Sequence, residues 1–274
     1  MLGDMERRIV FCADELGLSS EANEGIRRVA HAGLVRETSL CVTGEAAEEG
    51  AALARELRKS LGVGLELCFT AGRALTGYIR GLTDEHGRFL PASQVFASCL
   101  FGRPDPDDVA REVEAQLVRL RDYGLDISHL GGRHGVHLFP RVREAVLEAA
   151  PRHGIRWTRA PGTRDYTDYA VDLLTGRMLI EWMVKGFKAL ATSKGLRSLP
   201  YVAGWRKERG EYRDRFALLA SKLPRGRFEL SVHPRLGSDE LSALTDPTFV
   251  QQVLDLGIEP SRFEELMAEL PRFG

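Results

Sequence analysis

Long apolar runs are missing from this chain of 274 residues. None approaches the roughly 20 residues that a membrane-spanning helix needs, so no membrane partner is expected. The stretch Met1–Val10 is charged and leads straight into a strand-like run. It lacks the apolar centre of a signal peptide, and a cytoplasmic location is the expectation. Cysteine is sparse: Cys12, Cys41, Cys68 and Cys99 form neither a CxxC pair nor a dense disulfide framework. Reduced thiols follow. An excess of one charge is also missing, since the formal net charge is −1. That leaves no basic footprint for nucleic acid. Arginine greatly outnumbers lysine, but the arginines are scattered among acids and read as solvated helix faces.

What is present is an ordinary globular composition, 43% hydrophobic and 28% charged. The pattern alternates strand and helix. Arg8–Ala13 is an apolar run ending at Asp14-Glu15, and Ser19 or Ser20 can cap a helix over Glu21–Ala32. Thr38–Val42 reads as a strand, Ala46–Lys59 as a helix and Val63–Phe69 as a third strand. This β-α-β-α-β order implies a parallel sheet. Thr70–Asp107, rich in Gly, Pro and aromatics, reads as a long functional loop.

Further along, Asp108–Tyr123 is helical and Ile127–Leu130 a strand, followed by the Gly- and His-rich run Gly131–His137. Pro140 can open a helix through Ala150, and Ile155–Arg159 is another strand. Arg177–Thr192 is amphipathic and carries Met178, Trp182, Met183 and Phe187, which core packing explains better than a ligand pocket. Glu211–Leu223 is helical, Phe228–Val232 is a late strand, and Asp239–Leu244 and Pro260–Leu270 supply closing helices. The expected fold is a single α/β barrel, TIM-like, over residues 1–274 with a loop insertion at about 70–107. Thr70–Asp107 and Arg177–Thr192 read as shaping the substrate mouth or an oligomer interface, which leaves room for a homodimer.

In parallel α/β barrels the chemistry sits at the carboxyl ends of the strands. The polar residues there are Asp14, Glu15, Glu66, Arg133, His134, His137, Arg159 and His233. Each has an ordinary use. Asp14 or Glu15 can cap a helix, His134 and His137 can be loop histidines bonded to backbone, and Arg159 reads first as a structural partner for a carboxylate. Their shared location is what marks them as a site.

Six segments then resemble one family. IVFCADELGLSSEANEGI with HAGLVRETSLCVTGEAAEEG, then GVGLELCFTAG, ISHLGGRHGVHLFP, WTRAP and FELSVHP follow, in order, the motifs of the YdjC-like carbohydrate deacetylases. These include the hopanoid-biosynthesis and chitooligosaccharide branches. The resemblance runs from Ile9 to His233. It implies a barrel enzyme that removes acetyl groups from N-acetylated sugars with a divalent metal, the cation lowering the pKa of a bound water. Carried over, the base position is Asp14 and the late acid position is His233. The three metal positions become Glu15, Glu66 and Arg133.

None of these three is the family's residue, and a guanidinium has no acceptor to offer a cation. The resemblance therefore implies a degenerate metal site, with no metal expected and Arg133 pairing with Glu15 and Glu66. The first functional reading is an enzyme of biosynthetic tailoring type. It acts on a sugar-containing or natural-product small molecule by metal-independent chemistry, with Asp14 as base and His233 or His134 as acid. A deacetylase with Zn or Mg in a rearranged site through Glu15, Glu66 and His134 or His137 is the alternative. A non-catalytic binding protein on the same barrel is the third.

Overall fold

The computed structural model describes residues 7–160, 174–204 and 210–268, with backbone alone for 174–181 and 201. The elements are β1 (Arg7–Leu16), α1 (Ser20–Ala32), β2 (Val35–Leu40), α2 (Ala47–Glu56), β3 (Gly62–Leu67), α3 (Ala92–Leu100), α4 (Pro106–Asp122), β4 (Ile127–Gly132) and α5 (Val142–Arg152). They continue with α6 (Leu174–Ser193), β5 (Tyr201–Ala203), α7 (Tyr212–Lys222), β6 (Gly226–Val232), α8 (Asp239–Leu244), α9 (Pro247–Asp255), β7 (Ile258–Pro260) and α10 (Phe263–Ala268).

The strands form a parallel sheet in the order β4-β3-β2-β1-β6-β5 that curls toward a barrel. One edge of β1 is shared: Arg7–Ile9 pair with β7, and Phe11 onward pair with β2. Past β4 the wall continues as single parallel bridges, Leu130 to Thr158 and Trp157 to Arg197, toward β5. The expected α/β barrel class is thus met by a curled sheet whose span between β4 and β5 is bridges rather than strands. Ile155–Arg159 contributes only those bridges, where the sequence read a full strand.

Side-chain alternation along each strand sorts two layers. On β1, Ile9, Phe11, Ala13 and Leu16 join the large core between sheet and helices, with Phe11 stacked on Phe216 of α7. Each such fully buried apolar side chain stabilises the fold by about 1.5–3 kcal/mol. Val10 and Cys12 face the other way. They form a small second cluster with Trp157, Leu199, Phe263 and Leu266. Helix α10 thereby plugs the amino-terminal end of the barrel. Above that plug the interior is polar. The Cys12 thiol lies 3.5 Å from His129 Nε2, Ser128 donates to Glu37 at 2.8 Å, and the Phe263 N–H caps Glu37 from below at 3.1 Å.

Ser19 caps α1 by accepting from the Ala22 N–H, and Gly33 ends it in the left-handed conformation. Gly25 on that helix is a packing requirement. A Cβ there would sit 1.7 Å from the Pro234 carbonyl oxygen, so α1 lies directly behind the segment that follows β6.

Several expected bounds change. Thr70–Asp107 is not one loop: it holds α3 and the first two residues of α4. Its remaining part is pinned by Glu112 of α4, which accepts from the N–H groups of Leu75 and Thr76 and from the Thr76 hydroxyl. Helix α5 starts at Val142, after Arg141 in a left-handed conformation, not at Pro140. Pro260 ends β7 instead of opening a helix, because its segment pairs with β1. Met183 and Phe187 are core residues as expected, but Trp182 is 59% exposed under the Arg143 guanidinium. The Met178 side chain and Leu270 lie outside the described residues. All four cysteines are buried and free. Among the described residues no helix is long and apolar enough to cross a membrane.

Candidate active site

The polar interior opens at the carboxyl ends of the strands. Asp14 stands at its centre, 4% exposed. The Arg159 guanidinium grips it with two parallel bonds, Nη1 to Oδ2 at 2.7 Å and Nη2 to Oδ1 at 3.0 Å. Its Nε donates to Glu229 of β6 at 2.6 Å. Ser39 of β2 donates to Asp14 Oδ1 at 2.6 Å, and Ser231 of β6 donates to Oδ2. Burial by itself would raise this carboxyl. The Arg159 and His233 charges and the hydrogen bonds from Arg159 and Ser231 outweigh it and hold Asp14 well below the usual carboxylate range. Both oxygens are occupied, so Asp14 is a fixed negative charge with weak affinity for a proton. Arg159 is the carboxylate partner that the sequence suggested.

His233 follows β6. Its Nε2 lies 3.9 Å from Asp14 Oδ2, and its side chain is 36% exposed. It thus faces both Asp14 and solvent. Its backbone N–H donates to Glu240 of α8 at 3.2 Å, which fixes the strand end.

Glu15 breaks the alternation of β1. A regular strand would send Asp14 and Glu15 to opposite faces. Glu15 adopts φ 73°, a left-handed conformation that costs a non-glycine residue about 1–3 kcal/mol. Both carboxylates then reach the same pocket. Arg133 Nη1 donates to Glu15 Oε1 at 2.6 Å, and Arg235 Nη2 reaches both Glu15 oxygens at 3.2 and 3.0 Å. Burial opposes ionisation of Glu15, but the Arg133, His233 and Arg235 charges prevail and lower its pKa.

Glu66 of β3 lies behind Glu15 and accepts the Glu15 N–H at 3.0 Å. Burial, together with the charges of Asp14 and Glu15, pushes its carboxyl well above the usual range, with Arg133 opposing in part. Its pKa is therefore higher in the folded chain than in the unfolded one, where a glutamate titrates near ~4.3. More protons bound in the folded state means that stability falls as pH rises above that value. Glu66→Gln keeps the acceptor and removes the titration. Thermal melts are expected to show the variant more stable than wild type at about pH 8 and similar near pH ~4; a variant less stable at the higher pH contradicts the assignment.

The two loop histidines part company. His134, at φ 52°, is exposed, and its Nδ1 lies 3.0 Å from the Thr70 hydroxyl. Partial burial and the Arg133 charge lower its pKa, against Glu15. His137 is fully buried and packs edge-on against Phe187. Its Nε2 lies 2.8 Å from the Arg159 carbonyl, so Nε2 carries the proton and donates it. Burial depresses its pKa to about 3. His137 supports Arg159 from outside the pocket and stays neutral. Sequence reasoning missed Ser39, Ser231, Glu229 and Arg235.

Glu15, Glu66 and Arg133, the positions assigned by resemblance to a divalent cation, do not fit one. Arg133 brings only donors. Its Nη1 occupies a Glu15 oxygen, while Glu66 is turned to the Glu15 backbone. Among the described residues no group of three or more His, Cys, Asp and Glu side chains is arranged to hold a metal ion.

Known proteins match this chain at three levels. A carbohydrate deacetylase of Vibrio cholerae serotype O1 (El Tor Inaba N16961) is 33% identical over 177 residues, covering 62% of this chain and 68% of the relative. A carbohydrate deacetylase of Geobacillus stearothermophilus is 27% identical over 276 residues, covering 95% and 98%. Among solved structures, a protein of Enterococcus faecalis V583, provisionally described as a cellobiose-phosphate cleavage protein, superposes with a TM-score of 0.73 at 18% identity over 95% of this chain and 99% of that one. At that identity the superposition shows the fold alone. The model of the YdjC-like protein family matches residues 8–264, and the chain belongs to that family.

Proposed function

We propose that this chain is an enzyme that acts on a sugar or a sugar-bearing small molecule by proton transfer, without the divalent cation that its resemblance implies. The sugar substrate class follows from the names of its relatives, carbohydrate deacetylases. One observation carries the metal-independent part: Arg133 donates into Glu15 at 2.6 Å where the cation is expected. A guanidinium fits that carboxylate and supplies the positive charge that a metal would bring.

Within this reading His233 exchanges the proton with substrate. It is partly exposed and lies 3.9 Å from Asp14. Asp14 supplies a fixed negative charge near the ring, a charge that favours the protonated imidazole. This moves the proton-accepting role from Asp14, as read from sequence, to His233, because Arg159, Ser39 and Ser231 already occupy both Asp14 oxygens. His134, exposed at the same opening, binds or polarises substrate. Arg159, Glu229 and His137 position the pair. Such chemistry suits isomerisation, elimination, cyclisation or hydrolysis.

The test is a panel of plain and N-acetylated mono- and oligosaccharides, with products read by mass spectrometry, with and without EDTA. Turnover of at least one sugar that EDTA leaves unchanged is expected. Acetate release abolished by EDTA and restored by zinc would overturn the reading.

A further inference from the structure

The opening of the pocket is richer in donors than its own carboxylate can use. Two guanidinium groups, Arg133 and Arg235, share Glu15. Arg235 spends a single nitrogen, Nη2, on it and is 65% exposed. The Arg133 Nε is buried without a hydrogen-bond partner. Exposed His134 and partly exposed His233 complete the rim. The deeper carboxylate, Asp14, has both oxygens bonded to Arg159, Ser39 and Ser231.

The rim is also held in place. The Arg235 N–H donates to the His233 carbonyl at 2.8 Å and closes a tight turn over Pro234. Gly25 of α1 backs that turn so closely that a Cβ would meet the Pro234 oxygen at 1.7 Å. Arg235 and His233 are therefore presented together from a braced segment.

We propose that this rim, with Arg235 as its specificity residue, recognises a carboxylate on the substrate, making the preferred ligand a sugar acid rather than a neutral sugar. The inference rests on the reading of the pocket as a sugar site. Arg133 and Arg235 face the single carboxylate of Glu15, and burial holds the carboxyl of Glu66 behind them above the usual range, so the rim is more positive than negative and suits a singly charged carboxylate better than a phosphate dianion. The planar fork of an arginine matches a carboxylate with two parallel bonds.

The test is isothermal titration calorimetry of the full chain with methyl glucuronide, methyl glucoside and glucose 6-phosphate. The glucuronide is expected to bind at least about tenfold more tightly than the glucoside, with the advantage shrinking as salt rises. Arg235→Gln, at a largely exposed position that the fold does not need, is expected to abolish the advantage. No preference for the glucuronide, a preference that survives Arg235→Gln, or tighter binding of the phosphate would each overturn the proposal. Binding is read apart from turnover, so failure here leaves the proton-transfer reading standing. Conversely, EDTA-sensitive acetate release alongside an Arg235-dependent glucuronide preference would sink that reading and support this one.

Discussion

Replacing Arg159 with Met is expected to destabilise the fold by about 3–5 kcal/mol, because it strands two buried carboxylates at once. Asp14 and Glu229 are 4% and 2% exposed, and Arg159 bonds both. Methionine fills similar volume but offers neither charge nor donor. The pH dependence should change sign as well. In the wild type the depressed pKa of Asp14 gives a contribution that is complete above its unfolded value of ~3.9 and is lost as pH falls toward the folded value. In the variant Asp14 is buried without its guanidinium partner, so burial raises its folded pKa above the unfolded one. Stability then falls as pH increases through the neutral range. Urea unfolding at several pH values measures both effects. The triple variant Arg159→Met, Asp14→Asn, Glu229→Gln should recover most of the loss, since it removes the stranded charges. A single variant that loses less than about 1 kcal/mol, or a triple no better than the single, would show that this network does not hold the barrel interior together.

The second large effect is on activity. His233→Gln keeps a planar polar group of similar size at a position 36% exposed, so the fold should survive with little change in melting temperature. Turnover of whichever sugar substrate the panel reveals should fall about 10²–10⁴-fold, the usual contribution of one general acid–base group. The loss should lie in kcat more than in KM, because the proton moves in the transition state. His134→Gln should act differently and raise KM more than it lowers kcat. Unchanged kcat in His233→Gln would take proton transfer away from this ring.

The sequence reached some of this architecture and not the rest, for physical reasons. The strand ends at Asp14, Glu66, Arg133 and His233 were legible because a parallel α/β pattern sends its carboxyl ends to one face. The carboxylate partner of Arg159 was expected, but not which carboxylates. Glu229, Ser231 and His233 recur at every second residue of FELSVH, and that alternation was a usable signal for one inward face. Ser39 and Glu37 repeat it on β2. What no period could show is Glu15. Its left-handed backbone breaks the alternation and sets it between Arg133 and Arg235. The pairing of Arg133 with Glu66 was anticipated as a direct contact. In the fold Glu66 bonds the Glu15 backbone N–H instead, since the Arg133 Nη1 points at Glu15. Helix α3 was hidden because Pro91 and the glycines around it read as loop, while the apolar Val95 and Cys99 that bury it are too few to set a period.

We propose that Arg133 takes the place of a divalent cation and that the pocket functions with this internal positive charge. Metal content answers it most directly. The chain would be purified with zinc supplied throughout, dialysed, and assayed by inductively coupled plasma mass spectrometry, with melting temperature and turnover followed before and after EDTA. Substoichiometric metal and no change in either property on chelation are expected. One tightly held metal per chain, removed by EDTA together with activity, would contradict it.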